Sequence, residues 1–224
     1  MNFLTKPNKQ IHMKQFLFLV IILVNSIHIT AQNDPKATQL LDKVTNQMKQ
    51  YKNIYAEFKY SLTNKKAGVS QNTKGKVTIQ GNKFHANYMG IDDIFDGQKR
   101  YQIVHENEEV NVSSHKDDDE FTPNKIFNFY QKGYTKKMDI KQHVKGRTIQ
   151  YVKLIPKNSQ SPEKYILLGI DTRNNHIYNA IIMEKNGSVI NLDITAFQTN
   201  KVLPDKLFKF DKSKYPDYYI NELD

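Results

Sequence analysis

The chain has 224 residues, no cysteine and no tryptophan, and a formal charge of +10, with 33 lysines and arginines against 23 acids. These counts exclude a disulfide-stapled fold and a cysteine nucleophile. The basic residues stand singly or in pairs, never five together, which describes a solvated basic surface and not a nucleic-acid footprint.

Residues 1–12 carry no pattern of their own. Met13-Lys14, the apolar run Phe16 to Val24 and the ending Ile29-Thr30-Ala31 have the form of a secretory signal peptide cleaved near Ala31. The run falls short of the ~20 apolar residues of a membrane-spanning helix. Cleavage would remove Lys6, Lys9 and Lys14 and no acid, lowering the formal charge from +10 to +7. The remaining residues, 32–224, suffice for one domain with its own core. With no cysteine after the signal to carry a lipid, the mature product is expected to be unanchored.

Residues 34–51 predict a helix, with Asp34 as cap, Pro35 at the first position, and an apolar stripe of Leu40, Leu41, Val44 and Met48. From Ile54 the period changes to two. Ile54, Ala56, Phe58, Tyr60 and Leu62 alternate with polar residues, as in a strand wetted on one side. Short alternating runs follow at 75–80, 83–89, 91–95, 99–105 and 109–113. They are punctuated by turn signals at Gly81-Asn82, Asp96-Gly97 and Glu106-Asn107. The charge run 116–120 reads as a solvated loop. Thr122-Pro123 opens a short aromatic helix ended by Gly133. Strands resume at 148–155, 164–171, 176–185 and 188–199, linked by Asn174-Asn175 and Asn186-Gly187. Residues 204–210 predict a last strand or turn, and the aromatic stretch 215–220 closes one end of the sheet.

Two helices and ten or eleven antiparallel strands predict a mainly β protein. A sheet of that many strands curls, giving a strongly curved antiparallel half-barrel whose apolar concave face is covered by the helices. The expected inward series is Phe58, Tyr60, Val77, Ile79, Phe84, Ala86, Tyr88, Ile103, Val110 and Val112, enclosing an apolar cavity. No phosphate loop, nucleophile elbow or metal-spaced histidine pair is present, so no catalytic residue, metal or cofactor is expected.

In this order the segments LLDKVTNQMKQYKNIYAEFKY, GKVTIQGNKFHANY, FDGQKRYQIVHENEEVNV, FTPNKIFNFY, VKLIPK and LPDKLFKF resemble the periplasmic lipoprotein carrier family LolA, in its Bacteroidetes-type form, over about residues 36–223. The resemblance implies a monomeric, non-enzymatic carrier in the periplasm. Such a carrier accepts an acylated lipoprotein from an inner-membrane lipoprotein-releasing transporter, shields its acyl chains and delivers it to the outer membrane, to an acceptor where one exists. It implies a lid, here Ile126, Phe127, Phe129 and Tyr130. The family's lid-tethering arginine and the proline after it have no counterpart in Gln80-Gly81-Asn82-Lys83. The alternative reading is a periplasmic binding or sensor module for another lipid or amphiphile.

Overall fold

The structure, a computed structural model, describes residues 33–114, 125 and 127–223. The signal-peptide segment, the charge run 116–120 and Ile126 lie outside the described residues.

Helix α1 spans Pro35–Lys49. The Asp34 carboxylate accepts the backbone N–H of Lys36 at 2.8 Å, satisfying one of the amides a helix start leaves open, and Pro35 needs no such partner. Ala37, Leu41, Val44 and Met48 are buried on one stripe, with Leu40 at its edge.

Among the described residues twelve strands make one open sheet. They are β1 (Ile54–Asn64), β2 (Val69–Gln80), β3 (Lys83–Tyr88), β4 (Ile91–Phe95), β5 (Lys99–Val104), β6 (Glu109–Ser114), β7 (Tyr134–Val144), β8 (Arg147–Pro156), β9 (Glu163–Asp171), β10 (His176–Glu184), β11 (Val189–Thr199) and β12 (Tyr219–Leu223). Their spatial order is 12-6-5-4-3-2-1-11-10-9-8-7. Every pairing is antiparallel except that of β12 with β6. A single sheet of this width curves, and α1 lies in the curve. The protein is therefore the half-barrel that the alternating pattern predicts.

Three details depart from the expected elements. Strand β7 joins the series as an edge strand rich in lysine, with an irregular register between Met138 and Lys141. The Gln150 side-chain amide donates to the carbonyls of Asp139 and Ile140 there, at 2.8 and 3.3 Å. Bulges and charge are common on exposed sheet edges, and they erase the alternation a sequence reader needs. Second, the mid-chain helix is reduced, among the described residues, to a 3-10 turn at Phe129–Gln131. Third, β12 joins the end of the sheet by a parallel pairing of Tyr219 with Glu109 onward, while residues 205–208 form a turn, one of the two forms expected over 204–210.

Among the described residues two apolar clusters hold the fold. The larger joins α1 to the inner face of β1–β4 and β8–β10. The smaller comprises Ile94, Ile103, Val110 and Val112, with Tyr101, Phe210, Tyr215, Tyr218 and Ile220 against it. Residues facing each other across an antiparallel pair share a face of the sheet. Phe84 faces Phe95, and Phe95 faces Arg100, whereas Ile94 faces Tyr101 and Asp92 faces Ile103. The smaller cluster is thus on the outer face, where the chain after β11 covers it. Asn53 pins the start of that covering segment, donating to the Lys201 carbonyl and accepting its N–H, each at 2.9 Å. Phe210 then stacks on Tyr101 at 4.8 Å, and Tyr215 on Phe210 at 5.7 Å.

Candidate lipid-binding groove

The inner face is incompletely filled. At its middle Phe58 on β1 faces Gly75 on β2. A Cβ at Gly75 would lie 2.3 Å from the Phe58 Cζ atom, so only glycine lets the ring lie across the neighbouring strand. The flattened ring floors a cavity of about 330 Å³, walled by Tyr60, Val77, Ala86, Tyr88, Ile190 and Leu192 and edged by Thr73, Met89 and Ile182. A second cavity of about 270 Å³ lies on β9–β11, under Phe127, Phe129 and Tyr134 and above Ile166, Leu168, Ile177, Ala180 and Ile194, with Glu163 at its edge. Ile182 and Leu192 border both.

Of the ten residues expected to face inward, Phe58, Tyr60, Val77, Ala86 and Tyr88 line the first cavity. Ile79 and Phe84 share that face but are buried in the core, Phe84 against Phe95 at 5.8 Å. Ile103, Val110 and Val112 are a correction. They sit on the outer face beneath the C-terminal aromatics and border neither cavity. The reason is electrostatic. On the inner face of β4 and β5 stand Asp93 and Arg100, which form a buried pair, the guanidinium donating to both carboxylate oxygens at 2.8 and 2.7 Å. The Tyr88 hydroxyl adds a third bond to Asp93 at 3.0 Å. Such a pair survives burial because each charge meets its partner in bidentate geometry. Burial, with the Asp93 charge beside it, raises the Tyr88 pKa to about 12, so this wall of the groove stays neutral.

Among the expected lid residues, Phe127 is buried edge-on to Phe197 at 5.9 Å, and Phe129 is half-buried on the second cavity. Tyr130 is fully buried, its hydroxyl 3.1 Å from Thr45 Oγ1 of α1, while Gln131 Nε2 donates to the same oxygen at 3.3 Å. Burial raises the Tyr130 pKa to about 12. Tyr130 is an anchor to α1, and the two phenylalanines form the roof.

The second-half lining, Ile166, Leu168, Ile177, Ala180, Ile182, Ile190, Leu192 and Ile194, was signalled by period-two runs in β9 and β11. In β10 the adjacent pair Ile181-Ile182 obscured it. A register shift between Ile177 and Asn179 puts both Ile177 and Ala180 inside.

Size alone does not mark this site. A larger cavity, about 860 Å³, lies at the opposite end of the strands and has a mixed lining, Gln80, Asn82, Lys83, Asp96, Lys201 and Lys209 beside Tyr101, Leu203, Phe208 and Phe210. Charged groups interrupt its apolar surface, while the two inner-face cavities are dominantly apolar, which is the character of ligand sites. Among the described residues no group of three acids or histidines is placed to hold a metal, and no helix is long and apolar enough to cross a membrane.

An open, curved antiparallel sheet with a helix in its concavity and an unfilled apolar groove beside it defines a half-barrel of the amphiphile-binding kind. The sequence matches the family of the outer membrane lipoprotein carrier protein LolA over residues 49–211. The chain belongs to that family, which makes it a carrier-type module for lipids or lipoproteins. Comparison of the sequence with curated proteins gives no significant match. In fold it is similar to an uncharacterized conserved protein from Thermus thermophilus, with TM-score 0.59 and 9% identity, covering 84% of this chain and 99% of that one. It also aligns with LprF from Mycobacterium bovis, with TM-score 0.49, 11% identity and coverage of 78% and 98%. A third alignment is with an outer membrane lipoprotein-sorting protein domain from Vibrio parahaemolyticus, with TM-score 0.44, 9% identity and coverage of 78% and 96%.

Proposed function

We propose that the protein is a periplasmic carrier that shelters the acyl chains of lipoproteins in the inner-face groove and ferries them from the inner to the outer membrane. The observation that carries this reading is an unfilled apolar groove in a member of the LolA family. A folded core is normally packed to near-crystal density, so voids lined by Phe58, Ile182 and Leu192 are room for something else.

Transfer of acyl carbons from water contributes about 0.8 kcal/mol per buried CH₂, so a chain half sheltered is already held by several kcal/mol. The groove needs no charged anchor for this. Release would follow from lifting the Phe127–Phe129 roof, which belongs to a single 3-10 turn and its flank. The signal-like segment ending at Ala31 supports export, and the partners proposed are acylated lipoproteins, the inner-membrane transporter that releases them and an outer-membrane acceptor. The protein would act as a monomer.

The test is native mass spectrometry of protein purified from its periplasm, followed by lipid extraction. Copurifying acylated protein is expected, and Phe58→Glu should abolish it, because an uncompensated carboxylate in the groove opposes apolar occupancy. Repeated recovery of no lipid or lipoprotein contradicts the reading. So does full retention by a folded Phe58→Glu variant.

A further inference from the structure

The pairing of β10 with β11 stops short of the strand ends. It runs from Met183–Val189 to Asn179–Asp193, while β10 begins at His176 and β11 continues to Thr199. A bulge marks the parting on each strand. Tyr178 is passed over in the pairing of β10 with β9, and Thr195 in that of β11 with β1. A cleft of about 250 Å³ lies in the gap, bordered by both of these residues and by Ile177, Ile194 and Phe197. Ile177 and Ile194 also border the second inner-face cavity, so the cleft adjoins the groove. Its volume is below the ~300–1,000 Å³ of sites that enclose a whole drug-sized ligand. It has room for one polar group and a few attached atoms.

Unlike the groove, this cleft carries charge. Arg147, which opens β8, and Arg173, in the turn between β9 and β10, line it together with Asp171 at the end of β9. Asp171 is buried, whereas the two arginine side chains are 50% and 62% exposed. Burial opposes ionisation of the Asp171 carboxyl. The Arg173 backbone N–H, which donates to it at 3.0 Å, the Arg173 side chain and the charge of Arg147 outweigh burial and bring its pKa below the ordinary value. One fixed negative charge thus faces two positive ones, and a positive charge is left over.

The Asp93–Arg100 pair shows how closely a guanidinium can be held in this chain, at 2.8 and 2.7 Å. At Asp171 the guanidiniums stand off. Arg173 Nε and Nη2 lie 3.5 and 3.4 Å from the carboxylate oxygens, and Arg147 Nε lies 3.9 Å away, beyond hydrogen-bond reach. A guanidinium carries five N–H donors in a planar fork, so both arginines keep donors for a second oxyanion. Phosphate and carboxylate are the groups that fork matches best.

We infer that this cleft is an anion site, in which Arg147 and Arg173 hold the phosphate or carboxylate of a ligand. The inference does not rest on the carrier reading, because acyl chains need no charged partner. Two sources share the chemistry: the head of an anionic amphiphile whose apolar part lies in the adjoining groove, and a free small anion.

Titration calorimetry at low salt with three probes tests it. The probes are 1-lauroylglycerol 3-phosphate, 1-lauroylglycerol, which lacks only the phosphate, and inorganic phosphate. The phosphorylated lipid is expected to bind about tenfold or more tighter than its neutral twin, the worth of one charge-assisted hydrogen bond. Arg147→Gln should remove most of that advantage and leave the affinity for 1-lauroylglycerol unchanged, while Arg147→Lys retains part of it. Arg173→Gln is the second variant, with the same loss expected. Equal affinity for the two lipids, with inorganic phosphate bound by the unaltered protein and not by Arg147→Gln, keeps the anion site and assigns it to a free anion. Equal affinity with no binding of inorganic phosphate overturns the anion site and leaves the carrier reading in place. So does an advantage that survives in both folded glutamine variants. Binding of inorganic phosphate without either lipid removes the carrier reading and keeps the anion site. No binding of any probe overturns both.

Discussion

Two apolar faces of one sheet meet different fates in this protein. On the outer face of β4–β6, Ile94, Ile103, Val110 and Val112 are covered by the chain's own end, through Phe210, Tyr215, Tyr218 and Ile220. On the inner face of β1–β3 and β9–β11, residues of the same types border voids with a thin roof of Phe127 and Phe129. Alternation makes both faces apolar. What separates the packed face from the grooved one is how completely an aromatic segment covers it. The covering on the outer face is held at several points. Besides the Asn53 clamp and the ring stack, His105 bridges Tyr218 and Asp92, at 3.2 and 3.0 Å.

The contrast can be broken by truncating each face in turn. Ile103 is completely buried, so Ile103→Ala should cost about 2–5 kcal/mol in urea unfolding while leaving acyl binding intact in the folded fraction. Leu192 already borders open space, so Leu192→Ala should cost less stability and weaken acyl retention more. Equal losses of stability and binding from both changes would erase the distinction. Gly75→Ala comes next. Its new methyl would press on both the Phe58 ring and the Asn87 carbonyl oxygen, a crowding worth about 1–3 kcal/mol, and should reduce acyl uptake without touching the outer face. Isothermal titration with palmitate reads it.

Smaller effects probe the fastenings. Tyr130→Phe removes the bond to Thr45 Oγ1 while Gln131 still donates to that oxygen, so about 0.5–1.5 kcal/mol of stability should go, as followed by urea denaturation. The smallest effect is on pH dependence. His176 packs on Phe197 at 4.4 Å between ring centres, and its Nε2 lies 2.7 Å from the Tyr51 hydroxyl. Burial lowers its pKa below 6.5, against the opposing pull of Asp171. A histidine held neutral by the fold contributes stability that is present above its unfolded pKa and is lost as pH falls through the lowered folded value. Melting temperature should therefore decline from about pH 6.5 downward, and His176→Gln should flatten that part of the profile. Asp92 acts lower still. Hydrogen bonds from His85 first, then Asn87 and His105, lower its pKa despite burial, so its contribution is present above the ordinary carboxylate range and disappears only in stronger acid.

Much of this architecture is legible in the residues. Asp34-Pro35 and the stripe through Met48 locate α1 to within two residues, and Gly81-Asn82, Asp96-Gly97 and Asn186-Gly187 mark real hairpins. Strand β7 escapes because Lys136, Lys137 and Lys141 and a register shift hide its period. The groove is half legible. Phe58 to Tyr88 follow from alternation, but alternation cannot say which face of β5 and β6 looks inward. There the inner positions carry Arg100, paired with Asp93 on β4, so polarity points the wrong way. Gly75 has its meaning only once Phe58 is seen to face it.

If acyl chains enter the inner face and not the outer one, methyl-detected NMR during a palmitate titration will register it residue by residue. Large shift changes are expected at Ile182, Ile190 and Leu192, with Ile103, Val110 and Val112 unmoved. Shifts concentrated at the outer-face methyls, or none at the inner ones, would contradict it.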